Sequence, residues 1–412
     1  MHNIAILSLA IVLSISAAAK AAPDEVLLGK EQGYPVGTQN TSFANEATRV
    51  GTFTHIDSLW PHHTLAKAVE PSVFKRAAME PPLRYRFEGK DYTVDDYLQH
   101  QRAMGLLIIR DGKILVERYQ YARRPEDRFL SNSMAKSITS LGIGFALEDG
   151  KIASLDDKVA HYVPELRGNA YGDTTIRDLL RMSSGLKFEE NYNGKSDDAR
   201  FFQLATKQGT IAAVKAFGDR EAAAGTHFHY ASIESVTLGL VLAHATGKSL
   251  SAYVEQKLWQ PMGAEADATW VVDPHDMEIG SGHFSATLRD YGRLGMLLAN
   301  DGELNGKQIL PKSYLLEATD WHLQPLTFSP GQATPYYGYG YQFWTFPGER
   351  RRFALLGIYG QVIYVDPASK TVLVQTAAAK HAKIGEESMA KELHALWDAV
   401  DNQALAMSAS TQ

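Results

Sequence analysis

The spacing of apolar positions changes twice along this chain. From Tyr92, TVDDYLQHQRA carries its apolar residues at helical intervals, and GLLIIRDGKILVERYQY then reads as two strands meeting at Asp111-Gly112. That dipeptide suits a two-residue hairpin turn, in which both central residues take positive φ. From Ser133 the helical period returns. Met134, Ile138, Leu141 and Phe145 share one face of a predicted helix over 133–148, which Gly150 ends. TIRDLLRM, SIESVTLGLVLAHATG and SLSAYVEQKLW predict further helices, the last stopped by Pro261. Strand texture comes back in RRFALLGIYG, QVIYVDPA and KTVLVQTA, broken at Gly360 and at Asp366-Pro367. The closing segment places Met389, Leu393, Leu396, Trp397 and Val400 on one stripe, an amphipathic helix suited to lie on a sheet.

Strands at both ends with helices between them predict an α/β (α+β) protein: a central antiparallel sheet built from distant segments, flanked by helices and carrying a helical subdomain. The expected organisation is a leader over residues 1–21, an N-terminal extension over 22–92 and a main domain over 93–405. The α/β part of that domain takes about 93–165 and 270–405, and the helical part about 166–269. Residues 22–92 hold no sustained period and read as a segment wrapped around the domain.

Composition narrows the field. A chain of 412 residues, 45% hydrophobic and 21% charged, can bury a large core. A net charge of −6 with no basic run argues against nucleic acid as a partner. The first residues form an apolar run ahead of Ala19-Lys20-Ala21, a small-x-small cleavage pattern, so the expected location is periplasmic or secreted, with no stable membrane anchor after cleavage. Its charged start is weak, and an uncleaved membrane anchor is the competing reading. The absence of cysteine excludes disulfides, thiolate nucleophiles and thiolate zinc sites.

The chemistry concentrates in FLSNSMAKSITS. Ser133 and Lys136 stand three residues apart on one helical face, so the amine can reach the hydroxyl and activate a poor nucleophile. A serine opening a helix also keeps its own N–H free for a developing oxyanion. Ser-x-x-Lys occurs at Ser72, Ser184 and Ser388 as well, so the spacing alone does not select a site. Ser72 follows a proline in the irregular extension, Ser184 sits in a turn and Ser388 belongs to the terminal amphipathic helix. Ser133 alone opens an apolar helix just after a strand pair.

SMAKSITSLGIGFALEDGKI, LRMSSGLKF, HYAS and GIYGQ together resemble the serine hydrolases of the class C β-lactamase fold, closest to the branch of 6-aminohexanoate-dimer hydrolases and β-lactamase-type esterases. The resemblance covers about residues 95–403. It implies a β-lactamase/transpeptidase-like fold, Ser133 as the acylated nucleophile, Lys136 as its base and Tyr230 of Tyr230-Ala231-Ser232 as the proton-transfer partner. For that chemistry either burial must hold Lys136 neutral or nearby positive charge must ionise Tyr230. The strand motif maps to Ile358-Tyr359-Gly360-Gln361, with Gly360 allowing close backbone approach and the N–H of Gln361 joining that of Ser133 as the oxyanion hole. Tyr192, Ser232, Tyr359 and Gly360 become the expected substrate contacts.

Ile358 stands where β-lactamases carry a lysine, and Ser232 where they often carry an asparagine, which favours an ester or linear amide over a β-lactam. The expected function is therefore an exported serine hydrolase for a small-molecule ester or amide, needing no metal or cofactor. A β-lactamase or D-alanyl-D-alanine carboxypeptidase, or a non-catalytic binding homologue, are the alternatives. His227 and His229 read as strand punctuation rather than a metal pair, and YYGYGYQFW at 336–344 either lines an acyl pocket or packs the approach to the C-terminal sheet. No G-x-S-x-G, H-E-x-x-H or G-x-x-x-x-G-K-[ST] pattern is present.

Overall fold

The Asp111-Gly112 turn forms with both residues at positive φ, 46° and 71°, and joins β5 (Ala103–Arg110) to β6 (Lys113–Tyr119). The chain is seen here in a computed structural model that describes residues 22–409 apart from Asn193, with side chains as far as Gln403. The expected leader over 1–21 lies outside the described residues.

The hairpin lies next to one edge of an eight-stranded sheet. Its C-terminal partners are β14 (Phe353–Gly357), β15 (Gln361–Asp366) and β16 (Thr371–Ala377), and β16 pairs antiparallel with β5. Alternation along these strands explains why both faces are apolar. Leu107, Ile109, Ile363, Val365, Val372 and Val374 enter one core, whereas Leu106, Ile108, Val362, Tyr364 and Leu373 enter the other. The first core is covered by α3 (Met134–Glu148) and α10 (Leu288–Ala299). Gly292 and Gly295 let α10 lie close to the sheet, since a Cβ at either would stand 2.5–2.7 Å from Leu107, Ile109 or Val372. The second core is covered by α12 (Met389–Ala409), whose Leu393, Leu396, Trp397 and Val400 are buried as the stripe predicts.

Residues 22–92 contain more order than their pattern suggests. They supply α1 (Glu46–Thr54), β1 (His62–Leu65), β2 (Lys75–Arg76), and the hairpin of β3 (Arg84–Phe87) with β4 (Lys90–Thr93). β2 runs parallel to β6 at the sheet edge. A second sheet has the order β1-β8-β9-β7, formed with β7 (Arg128–Leu130), β8 (Ala268–Val271) and β9 (Phe284–Thr287). These strands are three or four residues long and gain their partners only through the fold, so no period announces them. The helical region between β7 and β8 includes α8 (Ser232–Thr246), which packs on α3 where Gly142 faces Leu242.

Trp397 is fully buried, and its indole N–H has no hydrogen-bond partner among the described residues. Trp397→Ala should lower stability by about 3–5 kcal/mol, read as a denaturant midpoint. Trp397→Phe should cost clearly less, because it keeps most of the ring and gives up an N–H that bonds nothing. Equal losses would show that α12 is not held by packing of that ring.

Candidate active site

The strand-to-helix turn after β7 places Ser133, the candidate nucleophile. Ser131 N–H donates to Phe284 O on β9 at 2.7 Å, which fixes the end of β7 in the small sheet. Asn132 then takes a left-handed conformation, φ 45°, and its side-chain amide donates to Ile358 O at 2.9 Å. Ser133 caps α3, but its hydroxyl accepts no hydrogen bond from the first turn of the helix. An ordinary N-cap serine would do so. Instead Ser133 Oγ lies 2.9 Å from Lys136 Nζ. No described residue accepts the backbone N–H of Ser133.

The other three Ser-x-x-Lys pairs do not form. Ser72 Oγ donates to the carbonyls of Met262 and Gly263, Ser184 Oγ to Glu234 at 2.5 Å, and Ser388 Oγ accepts from Gln101 at 3.0 Å. Their lysines, Lys75, Lys187 and Lys391, are exposed.

Lys136 is only 2% exposed and donates also to Ser281 O at 2.8 Å. Burial pulls its amine down to about 8, and the carboxylate of Glu190 pulls the other way. Tyr230 sits within hydrogen-bonding reach of Ser133, and the Lys136 amine lies 5.1 Å from the centre of its ring. Burial, and after it Glu190, raises the phenol well above its ordinary value. Of the two routes open to the sequence, this favours loss of the proton from the amine, near 8, over ionisation of the phenol, which is pushed well above its ordinary value. Trp344 stacks on Tyr230 at 5.6 Å and 23°, with Phe228 and Tyr339 beside it. Tyr339 and Trp344 of the 336–344 aromatic run thus pack against the phenol, whereas Tyr336 and Tyr337 pack on Phe346 and His394.

Gln342 registers the two motif helices. Ser137 Oγ on α3 donates to its carbonyl at 2.6 Å, and Ser235 Oγ on α8 to its side-chain oxygen at 2.5 Å. Sequence reading missed this residue, and it missed Glu190. The hydroxyl of Tyr192 and the N–H and hydroxyl of Ser232 all donate to Glu190, at 2.7, 2.5 and 2.7 Å. Ser232 is thus committed to a protein carboxylate, and Tyr192 shares it while the Lys383 ammonium lies over its ring at 5.7 Å. The only sequence signal for Glu190 was its place two residues ahead of Tyr192.

The strand motif is arranged differently from the expectation. Gly360, φ 88°, owes its missing side chain to Met389 and Ala377, which a Cβ would meet at 2.8 and 2.9 Å. Tyr359 is buried under Arg49 from α1, 4.4 Å from its ring. Gln361 is fully buried, and its side chain donates to Ile358 O, Tyr359 O and Ala377 O. The part of the turn that lies against the nucleophile's segment is Gly357-Ile358: a Cβ on Gly357 would stand 2.4 Å from Ser131 O and 3.0 Å from Asn132. His227 and His229 take separate partners, Thr226 and Phe188 O.

Fold and site together define a hydrolase of the β-lactamase type. The family profile described as Beta-lactamase matches residues 91–393, and the chain belongs to that family. Among curated relatives it is similar to the 6-aminohexanoate-dimer hydrolase of Paenarthrobacter ureafaciens, with 26% identity over 285 residues, 66% of this chain and 71% of the relative. It is also similar to a putative D-alanyl-D-alanine carboxypeptidase of Escherichia coli, 25% identical over 41% of this chain and 40% of the relative. Among solved structures, a putative 6-aminohexanoate-dimer hydrolase from Bacillus anthracis superposes with a TM-score of 0.79 at 23% identity, covering 90% of this chain and 98% of that one. A class C β-lactamase superposes at 0.53 with 19% identity over 74% and 94%.

The pH dependence of Ser133 reactivity follows from Lys136. The amine accepts a proton from Ser133 only when neutral, so the rate of labelling by an alkyl phosphonate should rise with pH through about 8. Glu190→Gln removes a negative charge that favours the protonated amine, so the midpoint should move to lower pH. A midpoint that stays put or moves up would detach Glu190 from the site's electrostatics.

Proposed function

We propose that this chain is an exported serine hydrolase that cleaves a carboxylic ester or linear amide through an acyl-enzyme on Ser133. The observation that carries the reading is the 2.9 Å contact between Ser133 Oγ and a buried amine whose proton affinity is lowered to about 8. In this scheme neutral Lys136 takes the Ser133 proton as the oxygen attacks the carbonyl carbon. Tyr230 passes a proton to the departing alcohol or amine and is reprotonated from Lys136. Water then attacks the acyl-enzyme by the reverse proton path, releasing the acid and restoring Ser133.

The tetrahedral oxyanion is held by the N–H of Ser133 and by a second N–H from the Gly357-Ile358 end of β14, which packs on Asn132. Ester and linear amide substrates are favoured over β-lactams because Ile358 offers no cation at the strand position, and Ser232 is occupied by Glu190. The apolar run ahead of Ala19-Lys20-Ala21 supports export.

An alkyl phosphonate should add to Ser133 by mass, and Ser133→Ala should lose at least about 10³-fold in kcat on p-nitrophenyl esters. Activity surviving that substitution would end the proposal, and nitrocefin turnover faster than that of every ester would replace it with a β-lactamase. The two glycines of the turn separate the oxyanion assignment from simple packing. Gly357→Ala should lower kcat by about 10²-fold with a small change in thermal midpoint, whereas Gly360→Ala should chiefly lower the midpoint. The opposite pattern would return the second donor to Gln361.

A further inference from the structure

The N-terminal segment reaches the nucleophile's cleft. Lys136 bonds Ser281 O, and two residues further on His283, a half-buried residue whose Nδ1 is buried with no hydrogen-bond partner among the described residues, lies close enough to feel that amine's charge. Phe43, Trp60 and Phe202 surround this imidazole edge-on, at 5.7, 6.2 and 5.8 Å between ring centres. All three are themselves partly exposed. Phe43 also lies 6.4 Å from Tyr359, at 29°, on the turn that flanks Asn132. It therefore spans from the loop beside Lys136 to the strand end beside Ser133.

Its backbone is fixed there. Phe43 O accepts from Arg49 at 3.2 Å and from the Tyr359 hydroxyl at 3.3 Å, and Arg49 is anchored on Ala379 O at 2.7 Å. Trp60 is held by the pairing of β1 with β8 that starts two residues later. Partly exposed aromatic rings in rigid positions offer a large flat contact at low entropic cost.

We propose that Phe43 and Trp60, with Phe202 and His283, form the wall that receives the acyl group, and that the preferred acyl group is an uncharged aromatic ring. The proposal rests on the acyl-enzyme reading above. In that reading the leaving group takes its proton from Tyr230, so it lies toward Phe228 and Trp344, and the acyl group is assigned to the other aromatic cluster near Lys136, around His283. None of the four wall residues carries a carboxylate, so an ammonium on the acyl chain would lose water there without gaining a counter-ion. The N-terminal segment is then a specificity element and not only a brace.

The test varies the acyl group and holds the leaving group constant. The full chain is assayed with p-nitrophenyl phenylacetate, acetate and 6-aminohexanoate. The expected order in kcat/KM is phenylacetate above acetate by at least tenfold, with 6-aminohexanoate lowest. Phe43→Ala and Trp60→Ala should each shrink the phenylacetate-to-acetate ratio about tenfold, mainly through KM. Phe43→Leu, which keeps an apolar side chain against Phe53 and Tyr359, gives a second reading if the alanine variant fails to fold by circular dichroism. Val69→Ala, at a position 97% exposed on the same segment, should leave activity and ratio unchanged. A ratio that survives both wall substitutions, or a preference for the aminohexanoyl ester, overturns the proposal. Absence of a phosphonate adduct on Ser133 in the wild-type chain would instead overturn the reading beneath it.

Discussion

A lysine amine shut away from water governs the centre of this molecule. Lys136 has two oxygen acceptors, Ser133 Oγ and Ser281 O; beyond them, its charge meets the Tyr230 ring and, further off, Glu190. Each unit by which burial lowers its proton affinity represents about 1.4 kcal/mol against the ammonium. The fold must therefore bring the first turn of α3 inside and satisfy the amine there without neutralising it by a direct ion pair. It does so with the 280–281 segment, which accepts from Lys136 and, one turn along the same helix face, from Thr139 at 2.7 Å. Glu190 stands back, bonded to Tyr192 and Ser232, and tunes the amine across a distance.

What could be read from the sequence was what is decided locally. The Asp-Gly hairpin, the helix opened by Ser133 and the terminal stripe from Met389 to Val400 each depend on residues within a few turns of one another, and each formed. The pairing of Ser133 with Lys136 is local in the same sense, being one helical turn. Glu190, Gln342 and the Gly357-Ile358 approach join the residues of α3 and α8 through partners 42 to 226 residues away. No spacing rule encodes such contacts. The same reason hid β1, whose alternation is short and whose partner strand lies 200 residues downstream.

In the turn after β14 the glycines are crowded by other groups than the motif reading supplies. Sequence reading gave the space at Gly360 to a substrate. In the fold that space belongs to Met389 and Ala377, and the close approach toward the nucleophile occurs at Gly357. A glycine marks a crowded backbone, and only the tertiary structure says what crowds it.

Backbone strain joins these observations. Asn132, Tyr192, His283 and Tyr359 all adopt left-handed conformations, with φ between 45° and 62°; Asn132 precedes Ser133, and the others lie on the segments that carry Glu190, Ser281 and Ile358. For a tyrosine or histidine that conformation costs about 1–2 kcal/mol. It persists only where the surroundings leave no alternative. Asn132 is tied to Ile358 O, and Tyr192 to Glu190. His283 is enclosed by Phe43 and Trp60, and Tyr359 lies beneath Arg49. Two of the four strained residues are thus restrained by positions 43 to 60. The N-terminal segment therefore does more than cover apolar surface: its side chains pack on two of the left-handed residues, His283 and Tyr359.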